Sequence, residues 1–103
     1  MIARLTYFGV NPEDAEELKK TYNEEIVPVI RTQKGNMGAW LLEPMDPKDD
    51  YISLTEWISQ ADADAYESSG TYRELVAKAL NRFRSGPVLK TYSAVDSKII
   101  TTA

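Results

Sequence analysis

The chain has 103 residues, 43% of them hydrophobic and 27% charged, with a net charge of −4. That is the balance of one small folded domain, not of a disordered segment. With no cysteine and no histidine, it has no disulfide framework, thiolate nucleophile, zinc knuckle, Ser-His-Asp triad or imidazole ligand for haem, copper or iron. Twelve basic residues against sixteen acidic ones give no general basic face for nucleic acid. No apolar run reaches the roughly 18 residues of a membrane span, and Met1–Val10 lacks a cleavable apolar core, so a cytoplasmic location is expected.

Met1–Val10 alternates Ala3, Leu5 and Tyr7 against Ile2, Arg4, Thr6 and Phe8, the pattern of a strand. Asn11-Pro12-Glu13-Asp14 predicts a helix start, with Asn as N-cap, Pro in the first turn and acids at the positive end of the dipole. Ala15, Leu18, Tyr22, Ile26, Val29 and Ile30 keep helical spacing beyond it. Pro28 removes one bond and clashes with the preceding turn, costing about 3 kcal/mol in a regular helix. A kink near Glu24–Val27 is therefore expected, and Gly35 is placed to close the segment.

Asn36–Glu43 reads as a strand apolar on both faces, with Met37, Ala39 and Leu41 opposite Trp40 and Leu42. The polar run 44–50 connects it to a second strand, Tyr51–Trp57, where Tyr51, Ser53, Thr55 and Trp57 oppose Ile52, Leu54 and Glu56. Ser59 with Asp62 predicts a capping box for a short helix to Tyr66, and Thr71 with Glu74 predicts another. Tyr72, Leu75, Val76, Ala79, Leu80 and Phe83 carry that helix until Ser85-Gly86-Pro87. Residues 71–86 are locally basic, with Arg73, Lys78, Arg82 and Arg84 against Glu74, a solvated helix face or a lure for an anion. Val88–Val95 predicts the last strand, and residues 96–103 a polar-ended tail.

The order β-α-β-β-α-β is that of a ferredoxin-like α+β fold, one domain over 1–103 with a four-stranded antiparallel sheet. Its helices cover one sheet face only. Since the middle strands are apolar on both faces, the economical arrangement is a homodimer with sheets face to face.

Four segments carry a resemblance: the first strand running into Asn11-Pro12-Glu13; Ile26-Val27-Pro28 and Gly35 ahead of Met37-Gly38-Ala39-Trp40; Ser53-Leu54-Thr55-Glu56-Trp57 running into Ser59; and Ala65-Tyr66 through Ser69 to Tyr72-Arg73-Glu74-Leu75-Val76. Together they resemble the antibiotic biosynthesis monooxygenase superfamily, the dimeric α+β barrels. The resemblance implies a small cavity between sheet and helices in each subunit. Several members oxygenate aromatic or quinol substrates with O₂ and no metal or flavin; others degrade haem. The family's strand Trp matches Trp57. The haem degraders' ligating His falls on Val76, and their strand-1 Asn on Thr6 or Tyr7, so haem degradation by that route is not expected.

Metal-free oxygenation makes a substrate carbanion that itself reduces O₂, so the protein must shape an apolar pocket, assist one proton transfer and steady an oxyanion. Trp57, Tyr7, Tyr72 and Arg73 are the candidate catalytic groups. Tyr51, Ser53, Thr55, Thr6 and Val76 are the candidate substrate-binding positions, with no metal and no cofactor expected. Each candidate has a plain structural alternative, Tyr72 as core, Tyr7 and Tyr51 as cross-strand aromatics, Arg73 as surface. Three functions follow: a cofactor-independent monooxygenase on a small aromatic or quinol, a non-catalytic homodimer of the same fold that binds a small hydrophobic or aromatic ligand, or a small stress-related or assembly dimer with no ligand-filled pocket. A cavity lined by tyrosines and Trp57 favours the first two; one filled by Met37, Leu75 and Phe83 favours the third.

Overall fold

The computed structural model describes residues 1–95; the expected tail at 96–103 lies outside them. Strand β1 (Ile2–Val10) is followed by a helical segment of several turns, then β2 (Asn36–Leu42) and β3 (Tyr51–Trp57). Helices α3 (Gln60–Ser68) and α4 (Thr71–Ala79) precede β4 (Phe83–Ser93). The sheet order is β2-β3-β1-β4 with every neighbouring pair antiparallel, the ferredoxin-like arrangement the element order predicts.

The first helical segment shows how the chain absorbs Pro28. A 3₁₀ turn (Pro12–Asp14) leads into α1 (Ala15–Thr21), then a π-helical turn (Tyr22–Ile26), then α2 (Val27–Ile30). Val27 N–H donates to Tyr22 O, five residues back, which widens the turn where proline would otherwise strike it. The expected kink is thus a π turn, and it has a packing consequence. Leu18, Tyr22, Ile26 and Ile30 are all buried at four-residue spacing. In a regular α-helix each such step overshoots a full turn by about 40°; the wider turn takes back part of that drift and keeps the row facing the sheet.

Local signals account for most boundaries. Gly35 has φ +81°, and a Cβ there would strike the Asp62 side chain, so only glycine suits this turn. Ser59 Oγ accepts from Asp62 N–H at 3.2 Å, the expected cap. The Thr71 cap does not form. Gly70, at φ +90°, occupies the N-cap of α4 without a side-chain bond, while Thr71 Oγ1 lies 3.0 Å from Ser69 Oγ. The last helix is shorter than its periodicity predicts. It passes through a 3₁₀ turn at Leu80–Arg82, and Phe83 begins β4, because that ring stacks on Phe8 of β1 with centroids 4.3 Å apart. Tertiary stacking there overrides the local pattern.

The helices cover the face carrying Arg4, Thr6, Phe8, Tyr51, Thr55 and Trp57, all buried. The register places Leu5 opposite Leu54, Trp40 opposite Leu54, Leu42 opposite Ile52 and Tyr7 opposite Val88 on the other face. No element among the described residues covers this second face, and Trp40, Leu42, Val88 and Tyr92 are 47%, 42%, 51% and 49% exposed.

Candidate functional site

Between the sheet and the helices lies a cavity of about 40 Å³, room for roughly three waters. Its walls are mostly apolar, with Phe8, Leu18, Ile26, Ile30, Leu75, Val76, Ala79, Phe83 and Leu89. Leu75 and Phe83 line this space without filling it. The polar groups are few and come from facing elements. β1 contributes Arg4 and Thr6, β3 contributes Ser53 and Thr55, and Tyr22, Tyr66 and Tyr72 reach in from the helices. An apolar space with a handful of placed polar groups is the usual form of a small-molecule site.

Each phenol is anchored differently. Tyr22 donates its one proton to the Trp40 carbonyl at 3.1 Å, so the 2.8 Å contact with Ser53 Oγ has the serine donating. Tyr72 Oη lies 3.2 Å from Thr6 Oγ1. The Tyr66 ring stacks on Trp57 at 4.9 Å and meets Tyr72 edge-on at 5.9 Å. Burial pushes the pKa of all three phenols up, because a phenolate there would lose its water. For Tyr22 and Tyr72 the hydroxyl neighbour offsets part of that rise. At neutral pH the three are hydrogen-bond donors, not bases.

Arg4 is 5% exposed, a charge at the sheet centre that only pairing can stabilise. Its guanidinium pairs with Glu67, and with Asp64 at 3.7 Å, both on α3. Those carboxylates reach solvent, so Arg4 bridges the cavity wall to the surface.

The candidates read from the sequence separate cleanly. Thr6, Ser53, Thr55, Tyr72 and Val76 meet at this cavity. Trp57 stands behind it: the indole is fully buried and its N–H donates to Thr55 Oγ1 at 2.9 Å. As a candidate catalytic group Trp57 is therefore corrected: its N–H is spent on the neighbouring hydroxyl, and Tyr66 takes the position against the cavity. Tyr7 lies on the uncovered face, with Lys90 Nζ 5.3 Å from its ring centre, because the pleat turns it away from Thr6. Arg73 is exposed on α4, outside the cavity. Tyr51 is buried but directed elsewhere, stacking with Phe8 and donating to Glu43 at 2.9 Å.

Arg4, Tyr22 and Tyr66 are the site groups that sequence reasoning passed over. Arg4 carried a signal, a lone charge alternating in phase with Thr6 and Phe8. Tyr22 and Tyr66 carried none that separates a cavity phenol from a core one.

Residues 1–78 match the family described as antibiotic biosynthesis monooxygenase. The chain belongs to that family. Among solved structures it is similar to a candidate antibiotic biosynthesis monooxygenase from Nitrosomonas europaea, at 18% identity, covering 93% of this chain and 100% of that one, with a TM-score of 0.75. A counterpart from Deinococcus radiodurans superposes at TM-score 0.80 and 12% identity, covering 99% and 100%. The heme-degrader MhuD of Mycobacterium tuberculosis, with two hemes bound in its active site, superposes at TM-score 0.78 and 20% identity, covering 95% and 99%. At these identities the likeness is one of fold. No curated sequence relative matches.

The heme of that last relative can be tested against this cavity. The lining has no histidine, cysteine or methionine, and its phenols are held protonated. These residues do not fit a haem. No helix among the described residues is long and apolar enough to cross a membrane.

Proposed function

We propose that this chain is a cofactor-independent monooxygenase that acts with O₂ on a small aromatic or quinol-type substrate, working as a homodimer in the cytoplasm. The observation that carries the reading is the convergence of neutral phenols and hydroxyls from both layers on one apolar cavity. The family membership agrees with it. Such a cavity suits a substrate whose own C–H is acidic enough to ionise, because it lacks a strong base and offers donors to the resulting oxyanion. In the net reaction a ring CH₂ becomes C=O. One oxygen atom of O₂ enters the ketone and the other leaves as water with the two hydrogens, so the substrate supplies the electrons. Thr6 and Tyr72 would orient the substrate oxygen, and the Leu18, Ile26 and Leu75 walls would exclude water from the reduced intermediate.

The pairing is supported by the uncovered sheet face, where Leu5, Trp40, Leu42, Ile52, Leu54 and Val88 lie side by side and several are about half exposed. A second copy placed sheet to sheet would bury it.

The test is oxygen uptake by chelator-treated protein across a panel of quinols and anthrones. Uptake of one O₂ per ketone formed, dependent on folded protein, is expected. Binding of these compounds without any uptake would overturn the enzyme in favour of a ligand-binding homodimer of the same fold.

A further inference from the structure

Two charged side chains stand in the uncovered plane. In the strand register Leu54, Leu5 and Lys90 form one row across β3, β1 and β4, and Glu56, Ala3 and Tyr92 form the next. Lys90 is exposed, and its ammonium lies over the Tyr7 ring, 5.3 Å from the centre. Glu56 is half-buried. No ion pair among the described residues includes either group. Strand spacing and rise put their backbones about 12 Å apart, with β1 between them. A second sheet laid on this plane would bury both charges, which is costly unless each meets its opposite.

A two-fold axis can supply that match, because residue i of one copy meets j of the other and j meets i. The point midway between Lys90 and Glu56 falls on β1, between Ala3 and Leu5, on an interior strand of the sheet. An axis in the plane through that point, perpendicular to the line joining the two charges, sets Lys90 over the partner's Glu56. It lies about 35° from the strands, so the two sheets cross at about 70°, close to the orthogonal class of sheet packing. The same operation sets Leu5 against the partner's Leu54, small Ala3 against the partner's Tyr92, and Trp40 against the partner's Tyr7. Trp40 and Tyr92 are about half exposed and gain cover there. An axis running along β1 would instead set Lys90 over the partner's Leu54 and leave both charges unmatched.

We propose that a second copy of this chain docks on the uncovered face through two symmetry-related ion pairs, Lys90 with the partner's Glu56 and Glu56 with the partner's Lys90. The inference rests on the homodimer reading, and it adds the crossing of the two sheets and the groups that fix it. The apolar rows supply area without direction; the charges select one orientation.

The test is sedimentation of two charge-reversed variants, Lys90→Glu and Glu56→Lys, alone and mixed. Alone, each variant sets like charges against each other at both contacts, so its dimer dissociation constant should rise about a hundredfold or more. Mixed in equal amounts, the two carry opposite charges at both contacts and should return to twice the monomer mass at the wild-type concentration. Should a reversed chain fail to fold, Lys90→Gln and Glu56→Gln answer through a double-mutant cycle. Each should weaken the dimer about tenfold or more, and the double variant should be no weaker than the weaker single. A reversed variant that dimerises as the wild type does, a mixture that stays monomeric, or additive losses in the cycle overturns the ion pairs. If the wild type is dimeric in those cases, the homodimer reading stands without them. A wild-type monomer removes both.

Discussion

The two faces of this sheet are built from the same strands and have opposite contents. The covered face carries Arg4, Thr6, Ser53 and Thr55 among its aromatics, whereas the uncovered face carries Leu5, Ile52, Leu54, Trp40 and Leu42. In an isolated domain the distribution should run the other way, with polar groups toward water. The inversion teaches that neither face is plain core or plain surface. One is a polar-seamed cavity closed by helices, and the other is an apolar plane that the described residues leave open.

The largest effect should come from charging the apolar plane. Leu54→Asp should reduce the species seen by sedimentation from twice the monomer mass to the monomer mass, since burying an unpaired carboxylate costs several kcal/mol. A wild-type chain that is monomeric and soluble at micromolar concentration would break the comparison at its first half. Trp57→Phe probes the covered face. It should lower stability in urea by about 1–2 kcal/mol through the lost bond to Thr55 and the smaller ring. Quinol-dependent oxygen uptake should hold within about twofold, because the indole N–H does not face the cavity.

A third test uses pH. Burial raises the Tyr66 pKa above its unfolded value of about 10. The stability this contributes is complete below that pH and is lost as pH rises toward the folded value, because the unfolded chain releases the proton first. Tyr66→Phe should therefore flatten the alkaline fall in stability by up to about 1.4 kcal/mol per pH unit. An identical slope in both proteins would mean that the phenol is not desolvated. The smallest effect is expected at Arg73→Gln. With its side chain in solvent, melting and ligand affinity should stay within about 0.5 kcal/mol of wild type.

Much of the fold was legible because its signals are local. Alternation gave β1 and β3, the Ser59–Asp62 cap gave α3, and Pro28 announced a disturbed helix. The site was legible in part. Strand period placed Thr6, Ser53 and Thr55 on one face, and helical spacing brought Tyr72 and Val76 to it. The same alternation that sets Thr6 inward sets Tyr7 outward, so the phenol at residue 7 could be removed from the site on period alone.

What the sequence determined by itself was the element order, the two-sided apolar character of the middle strands and the absence of any imidazole or thiol to hold a metal. Those follow from residue identity and from periods of 2 and 3.6, which need no partner to be read. Only the tertiary structure decided which direction each polar hydrogen takes. Trp57 N–H goes to Thr55, Tyr22 O–H to the Trp40 carbonyl, and Arg4 Nε–H to nothing among the described residues. Thr55 is two residues from Trp57 on one strand, whereas the Tyr22 partner comes from an element distant in the chain; in both cases the geometry is set by packing at the scale of a single atom. Where Phe83 leaves its helix to stack on Phe8, the same rule applies: a contact across the sheet outweighed the preference of its immediate neighbours.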